Sequence, residues 1–175
     1  MISLYYSALD IAAIISGMDL GCQKESQMID KIWMGEQDYL LTHYESQRKF
    51  ILDVRYWMNY FNEKPILNSE FPAIKKDFYD MDTSFSVEEY MADYMDLDLF
   101  FKNIRIKILY GNGHDYARVK LRTLLKQYGY KRRSQYLVDH INRCIEFYQF
   151  KISLRDGVAC KIEDLKLDDM ITFRI

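Results

Sequence analysis

The fold of the second half of this chain is predicted from residues 124–141, LLKQYGYKRRSQYLVDHI. Gly129 follows a run of helix-forming residues and can take the left-handed backbone conformation that ends many helices. Ser134 follows the basic run at 131–133, and its hydroxyl can accept a hydrogen bond from the first N–H groups of a new helix. An apolar stripe begins at Leu137, so the stretch predicts two helices joined by a tight turn.

Both helices extend outward from this turn. Residues 114–127 predict the first helix and residues 135–148 the second, because large apolar side chains recur at three- and four-residue steps. Upstream, residues 103–110 alternate isoleucine with basic residues, which is the period of a half-buried strand. A helix that begins at Ser84 or Ser86 and runs to about residue 97 precedes that strand.

Short strands are predicted after the second helix. Residues 150–154 alternate apolar and polar side chains, and Asp156-Gly157 is typical of a tight hairpin turn. Residues 158–162 are expected to pair back as the returning strand, and residues 170–175 to close the sheet. The predicted fold class is therefore mainly α with a small antiparallel sheet.

From Ser86 onward the predicted elements are helix, strand, helix, tight turn, helix, strand, hairpin and strand. This order resembles the winged helix-turn-helix superfamily, and the resemblance covers the 90 residues from 86 to 175. The pattern L-L-x-x-Y-G-x-x-R-R at 124–133 is also similar to helix-turn-helix-like tails of bacterial defence and mobile-element proteins. The resemblance implies that the second helix of the pair enters the DNA major groove, with its N-terminal residues facing base edges.

Charge is sharply divided along the chain, although the net charge is only -2. Residues 65–98 contain 2 basic and 9 acidic residues, net -7, whereas residues 99–154 contain 12 basic and 3 acidic residues, net +9. Such a division concerns surfaces and partners rather than the fold. The basic segment coincides with the predicted helix-turn-helix, which favours nucleic acid as its partner.

The predicted nucleic-acid interface consists of basic and polar side chains around the two helices. Arginine and lysine hold phosphates or guanine, and glutamine can hydrogen-bond adenine. The predicted residues are Arg118, Arg122 and Lys126 on the first helix, which Lys120 also lines, Lys131, Arg132 and Arg133 in the turn, Gln135, Tyr136, His140 and Arg143 on the second helix, and Lys151 and Arg155 on the wing. About six to ten phosphate contacts would make binding steeply dependent on salt.

The N-terminal region is predicted to be helical. Residues 4–18 predict a short apolar helix, and residues 24–62 predict one long helix or two nearly collinear ones, which Pro65 ends. The apolar stripe of the long segment suits either packing within the same domain or a helical dimer interface. The domains expected are a helical region at 1–64, an acidic connector and helix at 65–98, and a winged helix-turn-helix-like domain at 99–175.

No catalytic, cofactor or metal signature is apparent in the sequence. The histidines at 43, 114 and 140 lack metal-ligand spacing, and the cysteines at 22, 144 and 160 are too widely spaced for a CxxC motif. Unpaired thiols indicate a reducing, cytoplasmic location. No apolar window approaches the roughly 18–20 residues of a membrane span. We therefore expect neither an enzyme nor a membrane protein.

Two functions remain open at this point. The first is a nucleic-acid-binding protein, with duplex DNA favoured over RNA, whose N-terminal helices mediate dimerisation or docking of a partner. The second is a protein-interaction or inhibitor protein of phage, mobile-element or defence origin. It would act through its acidic helix or its aromatic helical surface. The acidic segment could also cover the basic face of the same chain.

Overall fold

A computed structural model describes residues 6–63, 95–111, 113–127, 130 and 132–175 of the chain. The fold is mainly helical with one small three-stranded antiparallel sheet, which confirms the predicted fold class. Backbone contacts divide the chain into two compact units, Met1–Ile74 and Lys75–Ile175. The helix predicted to begin at Ser84 or Ser86 lies mostly outside the described residues.

The first unit contains α1 (Ala8–Ser16), α2 (Cys22–Gly35), α3 (Gln37–Leu40) and α4 (Gln47–Glu63). The short apolar helix predicted at residues 4–18 is confirmed as α1. Ser7 caps it, because the Ser7 hydroxyl accepts from the Asp10 N–H at 3.0 Å and the Asp10 carboxylate accepts from the Ser7 N–H at 2.9 Å. The Tyr44 hydroxyl accepts from the Ala8 N–H at 2.9 Å, which attaches the start of α1 to the turn before α4.

The prediction of one long or two collinear helices at residues 24–62 is wrong, because the chain turns back between α2 and α4. Arg55 donates to the Glu25 carboxylate at 2.9 Å, and Gln47 donates to Asp30 at 3.1 Å. These partners are 30 and 17 residues apart in sequence. They can meet only if α2 and α4 run antiparallel, since successive residues of one helix are separated by about 1.5 Å along its axis.

The apolar stripe of α4 packs within the first unit. Phe50, Val54 and Met58 are each at most 2% exposed. The Phe50 ring centre lies 5.5 Å from that of Trp33 on α2. This agrees with packing inside the domain, and dimerisation through these helices stays a prediction.

The second unit contains α5 (Met95–Tyr110), β1 (Ala117–Lys120), α6 (Leu121–Gln127), α7 (Gln135–Phe147), β2 (Lys151–Ser153), a 3-10 helix (Ile162–Asp164) and β3 (Met170–Arg174). The second helix of the predicted pair is confirmed as α7. Ser134 caps it, as predicted, by accepting from the Leu137 N–H at 3.2 Å. At the other end of α7, the Tyr148 hydroxyl donates to Asp98 of α5 at 2.7 Å.

The strand predicted at residues 103–110 is wrong, because these residues form the second half of α5. Phe101, Ile104 and Ile106 are each at most 5% exposed, so α5 is buried around much of its circumference. A helix that is surrounded on several sides has apolar residues around its circumference rather than on one side only. Its isoleucines at 104, 106 and 108 therefore recur every second residue, which is also the spacing expected of a strand. The first strand is instead β1, which shortens the helix predicted at 114–127 to α6.

The sheet has the order β1-β3-β2, with both pairings antiparallel. The strands predicted at residues 150–154 and 170–175 are confirmed as β2 and β3. One side of the sheet packs on α5, where the Phe173 ring centre lies 6.4 Å from that of Phe100 and 6.0 Å from that of Phe101. This aromatic cluster forms the core of the second unit.

The hairpin predicted after β2 forms its turn but little of its returning strand. Gly157 has a φ of 91°, a conformation that glycine takes without the strain of a side chain. Within the described residues, one bridge joins Ala159 to Ser153 before the chain enters the 3-10 helix. The strand predicted at 158–162 is therefore wrong, and β3 pairs with β2 in its place.

Candidate nucleic-acid interface

α7 has one buried side and one exposed side. Leu137, Ile141 and Cys144 are each at most 5% exposed, whereas Tyr136 is 59% exposed. Arg143 lies on the exposed side as well. The helix-turn-helix prediction requires a second helix that is anchored on one side and accessible on the other, and α7 has this arrangement.

Arg133, in the turn before α7, is bonded within the protein. Its Nη1 atom donates to the carbonyl oxygen of Ile162 at 2.7 Å and to that of Leu165 at 2.6 Å. These two bonds attach the turn to the 3-10 helix and the residue after it. The structure thus gives Arg133 a structural role that the sequence does not suggest, and its contact with nucleic acid stays a prediction.

Arg122 of α6 forms a two-point ion pair with Asp168, which precedes β3. The Nε atom donates to Oδ1 at 2.8 Å, and Nη2 donates to Oδ2 at 2.9 Å. The hydrogen bond from Arg122 lowers the pKa of Asp168, and the same bond raises the pKa of Arg122. Both side chains are exposed, where ion pairs contribute little to stability. A phosphate could therefore replace Asp168 on this guanidinium.

His140 and Cys144 lie one turn apart on α7, with His140 Nε2 and Cys144 Sγ separated by 3.4 Å. Burial, reinforced by the nearby charge of Asp98, raises the pKa of Cys144 to about 12. A thiol with that pKa stays protonated near neutral pH, whereas the thiolate is the reactive form. This pair therefore lacks the activated sulfur that nucleophilic catalysis requires.

An open groove runs along α7 beside the start of α5. It encloses about 670 Å³ and is lined by Asp98, Tyr136, His140, Arg143, Cys144, Glu146, Phe147 and Tyr148. Tyr136 and Phe147 are 59% and 43% exposed, respectively. Two accessible aromatic side chains and the Arg143 guanidinium thus share one concave surface.

The outer side of the sheet carries a cluster of cations. Side chains alternate along a strand, so Thr172 and Arg174 point away from the side on which Phe173 packs against α5. Arg118 lies opposite Thr172 in the strand register, and Lys151 lies opposite Arg174. The four cations on this side, named here the basic sheet face, are Arg118, Lys120, Lys151 and Arg174.

Tyr116 lies at the centre of contacts on the basic sheet face. The Cζ atoms of Arg118 and Arg174 lie 4.4 Å and 5.4 Å from the centre of the Tyr116 ring. The His114 ring stacks against Tyr116, with a centroid distance of 4.9 Å and an interplanar angle of 13°. Arg118 Nε also donates to the Thr172 hydroxyl at 3.3 Å. These contacts orient two guanidinium groups on the same side of the sheet.

The twelve predicted interface residues fall in separate places. α7 contains Gln135, Tyr136, His140 and Arg143, and Arg132 is exposed just before it. Lys126 is exposed on α6, and Arg155 is exposed in the turn after β2. The basic sheet face includes Arg118 and Lys151. Lys131 and the predicted turn residue Gly129 lie outside the described residues. Gln135 donates to Asp139 at 2.9 Å on its own helix.

Arg174 of the basic sheet face is absent from the predicted set, and Lys120 is predicted on the first helix rather than on a strand. Their signal in the sequence is the alternation of apolar and polar residues in ARVK at 117–120 and in ITFR at 171–174. The prediction of a helix over 114–127 concealed the first of these patterns. Correct placement of β1 would have put Lys120 beside Arg118 on one side of the sheet.

Among the described residues, no helix is both long and apolar enough to cross a membrane. The same part of the chain contains no group of three or more His, Cys, Asp or Glu residues arranged to hold a metal ion. No family model matches the chain, and comparison with curated proteins and with solved structures likewise found no match.

Proposed function

We propose that the second unit binds nucleic acid, with duplex DNA as the favoured ligand, by placing the exposed side of α7 in the major groove. The observation that carries this proposal is α7 itself. It is a capped helix, buried on its Leu137 side and exposed on its Tyr136 and Arg143 side, and residues 128–134 separate it from α6. Helix-turn-helix proteins place a second helix of this kind in the major groove.

The order of the elements supports the same proposal. α5, β1, α6, α7, β2 and β3 follow one another as helix, strand, two helices and two strands, an order similar to that of winged helix-turn-helix proteins. The antiparallel pairing of β2 with β3 makes residues 154–169 the connection that would serve as a wing. Arg155 is exposed in this connection, where it could reach a phosphate.

Contacts with the phosphate backbone would supply much of the affinity. Each contact adds about 0.9 to the slope of log affinity against log salt concentration for duplex DNA. Arg133 is bonded to main-chain carbonyls and Arg122 to Asp168. We therefore expect the slope of log affinity against log salt concentration to be shallower than the slope that would result if all twelve predicted side chains contacted DNA.

The three cysteines at positions 22, 144 and 160 are unpaired. Unpaired thiols are typical of reducing compartments, which supports the cytoplasmic location expected for a protein that binds DNA.

Fluorescence anisotropy with a short labelled DNA duplex, measured over a range of salt concentrations, tests the α7 proposal. The test variant is Arg132→Ala/Arg143→Ala, and the control is Lys24→Ala/Arg48→Ala, which removes the same charge from exposed residues of the first unit. We expect the test variant to bind at least about tenfold more weakly and to lose nearly 2 units of salt slope. Absence of binding by the unchanged protein at low salt, or equal affinities of the two variants, would contradict the proposal.

A second candidate function is protein binding through the groove beside α7. Its support is the pair of accessible aromatic side chains, Tyr136 and Phe147, together with Arg143, since tyrosine and arginine are enriched among the residues that dominate protein interfaces. Capture from a nuclease-treated lysate should recover a partner with the unchanged protein but not with Tyr136→Ser/Phe147→Ser. Tyr56→Ser, at a 64% exposed position of the first unit, is the control. Equal recovery by all three proteins, or recovery by none, would exclude this function.

A further inference from the structure

We propose that the basic sheet face is a second nucleic-acid site, which binds single-stranded DNA or RNA. The site is separate from the contacts that join the sheet to α5. Phe173 packs against Phe100 and Phe101 on one side of the sheet, and Arg118 and Arg174 lie on the other. The proposal does not depend on α7 binding duplex DNA.

The charges on this face favour a polyanion as the ligand. The three strands, all within the described part of the chain, contain no acidic residue. Lys151 lies directly opposite Arg174 on the neighbouring strand, and like charges in this position destabilise a sheet. The carboxylate of nearby Asp168 is bonded to Arg122. That bond lowers its pKa most, and the charge of Lys120 also lowers it. Arg118, Lys151 and Arg174 thus form a positive surface that a phosphate backbone would neutralise.

The aromatic residues on this face favour a single strand over a duplex. Surfaces that bind single strands combine cations for the backbone with aromatic rings or guanidinium planes on which bases stack. The basic sheet face has this combination, because Arg118 and Arg174 lie over the Tyr116 ring and the exposed His114 stacks against it. The bases of a duplex are already stacked on one another, whereas those of a single strand can stack on His114 or on the guanidinium groups.

A serine hydroxyl adds a polar group at the same place. Ser153 lies opposite Thr172 in the strand register, in the same row across the sheet as Arg118. Its hydroxyl is buried and has no hydrogen-bond partner among the described residues. Buried polar groups in proteins are normally bonded. A phosphate oxygen held by the neighbouring cations could accept this hydrogen bond after a small movement of their side chains.

Anisotropy with labelled oligo(dT) and oligo(U), which cannot form duplexes with themselves, tests this site on the full chain. The test variant is Arg118→Gln/Arg174→Gln, and the charge-matched control is Lys24→Gln/Arg48→Gln. Each phosphate contact with a single strand adds about 0.7 to the salt slope. We therefore expect the test variant to lose about 1.4 units of slope and at least about tenfold in affinity. A preference for one of the two oligonucleotides would distinguish RNA from DNA as the ligand.

Two outcomes would overturn the proposal. One is that neither oligonucleotide binds at low salt, and the other is that the test variant binds as tightly as the control. Arg118 also bonds to Thr172, so thermal unfolding must show that the test variant is folded. If it is not, Lys151→Gln, at an exposed position on β2, replaces it, with an expected loss of about 0.7 units of slope.

The three histidines give a second readout that separates the two proposed sites. His43 lies in the first unit, His114 on the basic sheet face and His140 in the groove beside α7. In proton NMR spectra, oligo(dT) or oligo(U) should shift the His114 ring signals and leave those of His43 unchanged. Binding that shifts His140 but not His114 would contradict the sheet site and leave the α7 proposal standing, whereas the reverse result would support the sheet site alone.

Discussion

Arg133 donates a hydrogen bond to the main-chain carbonyl of Ile162 at 2.7 Å, across 29 residues of chain. The same Nη1 atom donates to the carbonyl of Leu165 at 2.6 Å. The neighbouring Arg132 is exposed. Two adjacent arginines before α7 thus differ in role, because one attaches the 3-10 segment to the turn and the other is available to a ligand.

Replacement of Arg133 should reduce stability. A hydrogen bond to a charged group contributes roughly 1.5–3 kcal/mol. Both bonds of Arg133 come from one Nη1 atom on a residue that is itself exposed. Together they should contribute near the lower end of this range, so we expect Arg133→Ala to lower the free energy of unfolding by about 2 kcal/mol. Arg132→Ala should change it by no more than about 0.5 kcal/mol, as is usual for exposed positions. Urea denaturation followed by circular dichroism measures both. Equal effects of the two substitutions would show that the carbonyl bonds do not stabilise the fold.

Removal of the Asp168 carboxylate should strengthen binding to duplex DNA. Asp168→Asn leaves the Arg122 guanidinium without its ionic partner, so that it becomes available to a phosphate. We expect tighter binding at low salt and a salt slope larger by about 0.9. Asp38→Asn, at an exposed position in the first unit, is the control for net charge. An unchanged slope in Asp168→Asn would place Arg122 outside the interface.

Cys144 should be inert towards alkylation while the protein is folded. Iodoacetamide at pH 8 should label the exposed Cys22 quickly, whereas Cys144 should react only on unfolding, since its pKa is raised to about 12 by burial. Because burial disfavours the thiolate in the folded protein, the folded state loses stability as pH rises from the ordinary thiol pKa of 9.0 towards 12. Peptide mapping identifies the labelled cysteines. Fast labelling of Cys144 in the folded protein would contradict the raised pKa.

Loss of the α7 cap should destabilise the helix. The Ser134 hydroxyl accepts from the Leu137 N–H, and replacement of such a cap by alanine costs about 1 kcal/mol. We expect Ser134→Ala to lower the midpoint of urea denaturation and Ser134→Asp to retain it, because aspartate also caps helices. If both variants unfolded like the unchanged protein, the cap would have no energetic role.

α7 and β3 were predictable because their signals are local. Ser134 precedes an apolar stripe with helical spacing, and residues 171–174 alternate apolar and polar side chains. α5 was not predictable from its pattern, because a helix buried around much of its circumference has no single apolar side. β1 was not predicted because the helical spacing of Leu121, Leu124 and Leu125 in α6 led to a predicted helix that began at residue 114 and so included the strand.

The partners of the basic residues could not be predicted from the sequence. Arg122 and Asp168 are 46 residues apart, and Arg133 and Ile162 are 29 residues apart. Only the tertiary fold brings them together. The net positive charge of residues 99–154 can be counted from the sequence. Which of these cations lie on α7, which lie on the sheet and which are bonded inside the protein depends on the strand register and on the path of the loops.

Binding of duplex DNA by α7 is tested most directly by a proton NMR titration of the protein with a DNA duplex. We expect the ring signals of His140, beside Arg143 in the groove along α7, to shift in proportion to the bound fraction, and those of His43 in the first unit to stay unchanged. Binding of duplex DNA that leaves the His140 signals unchanged, or no binding at low salt, would contradict the claim that α7 is the surface that contacts DNA.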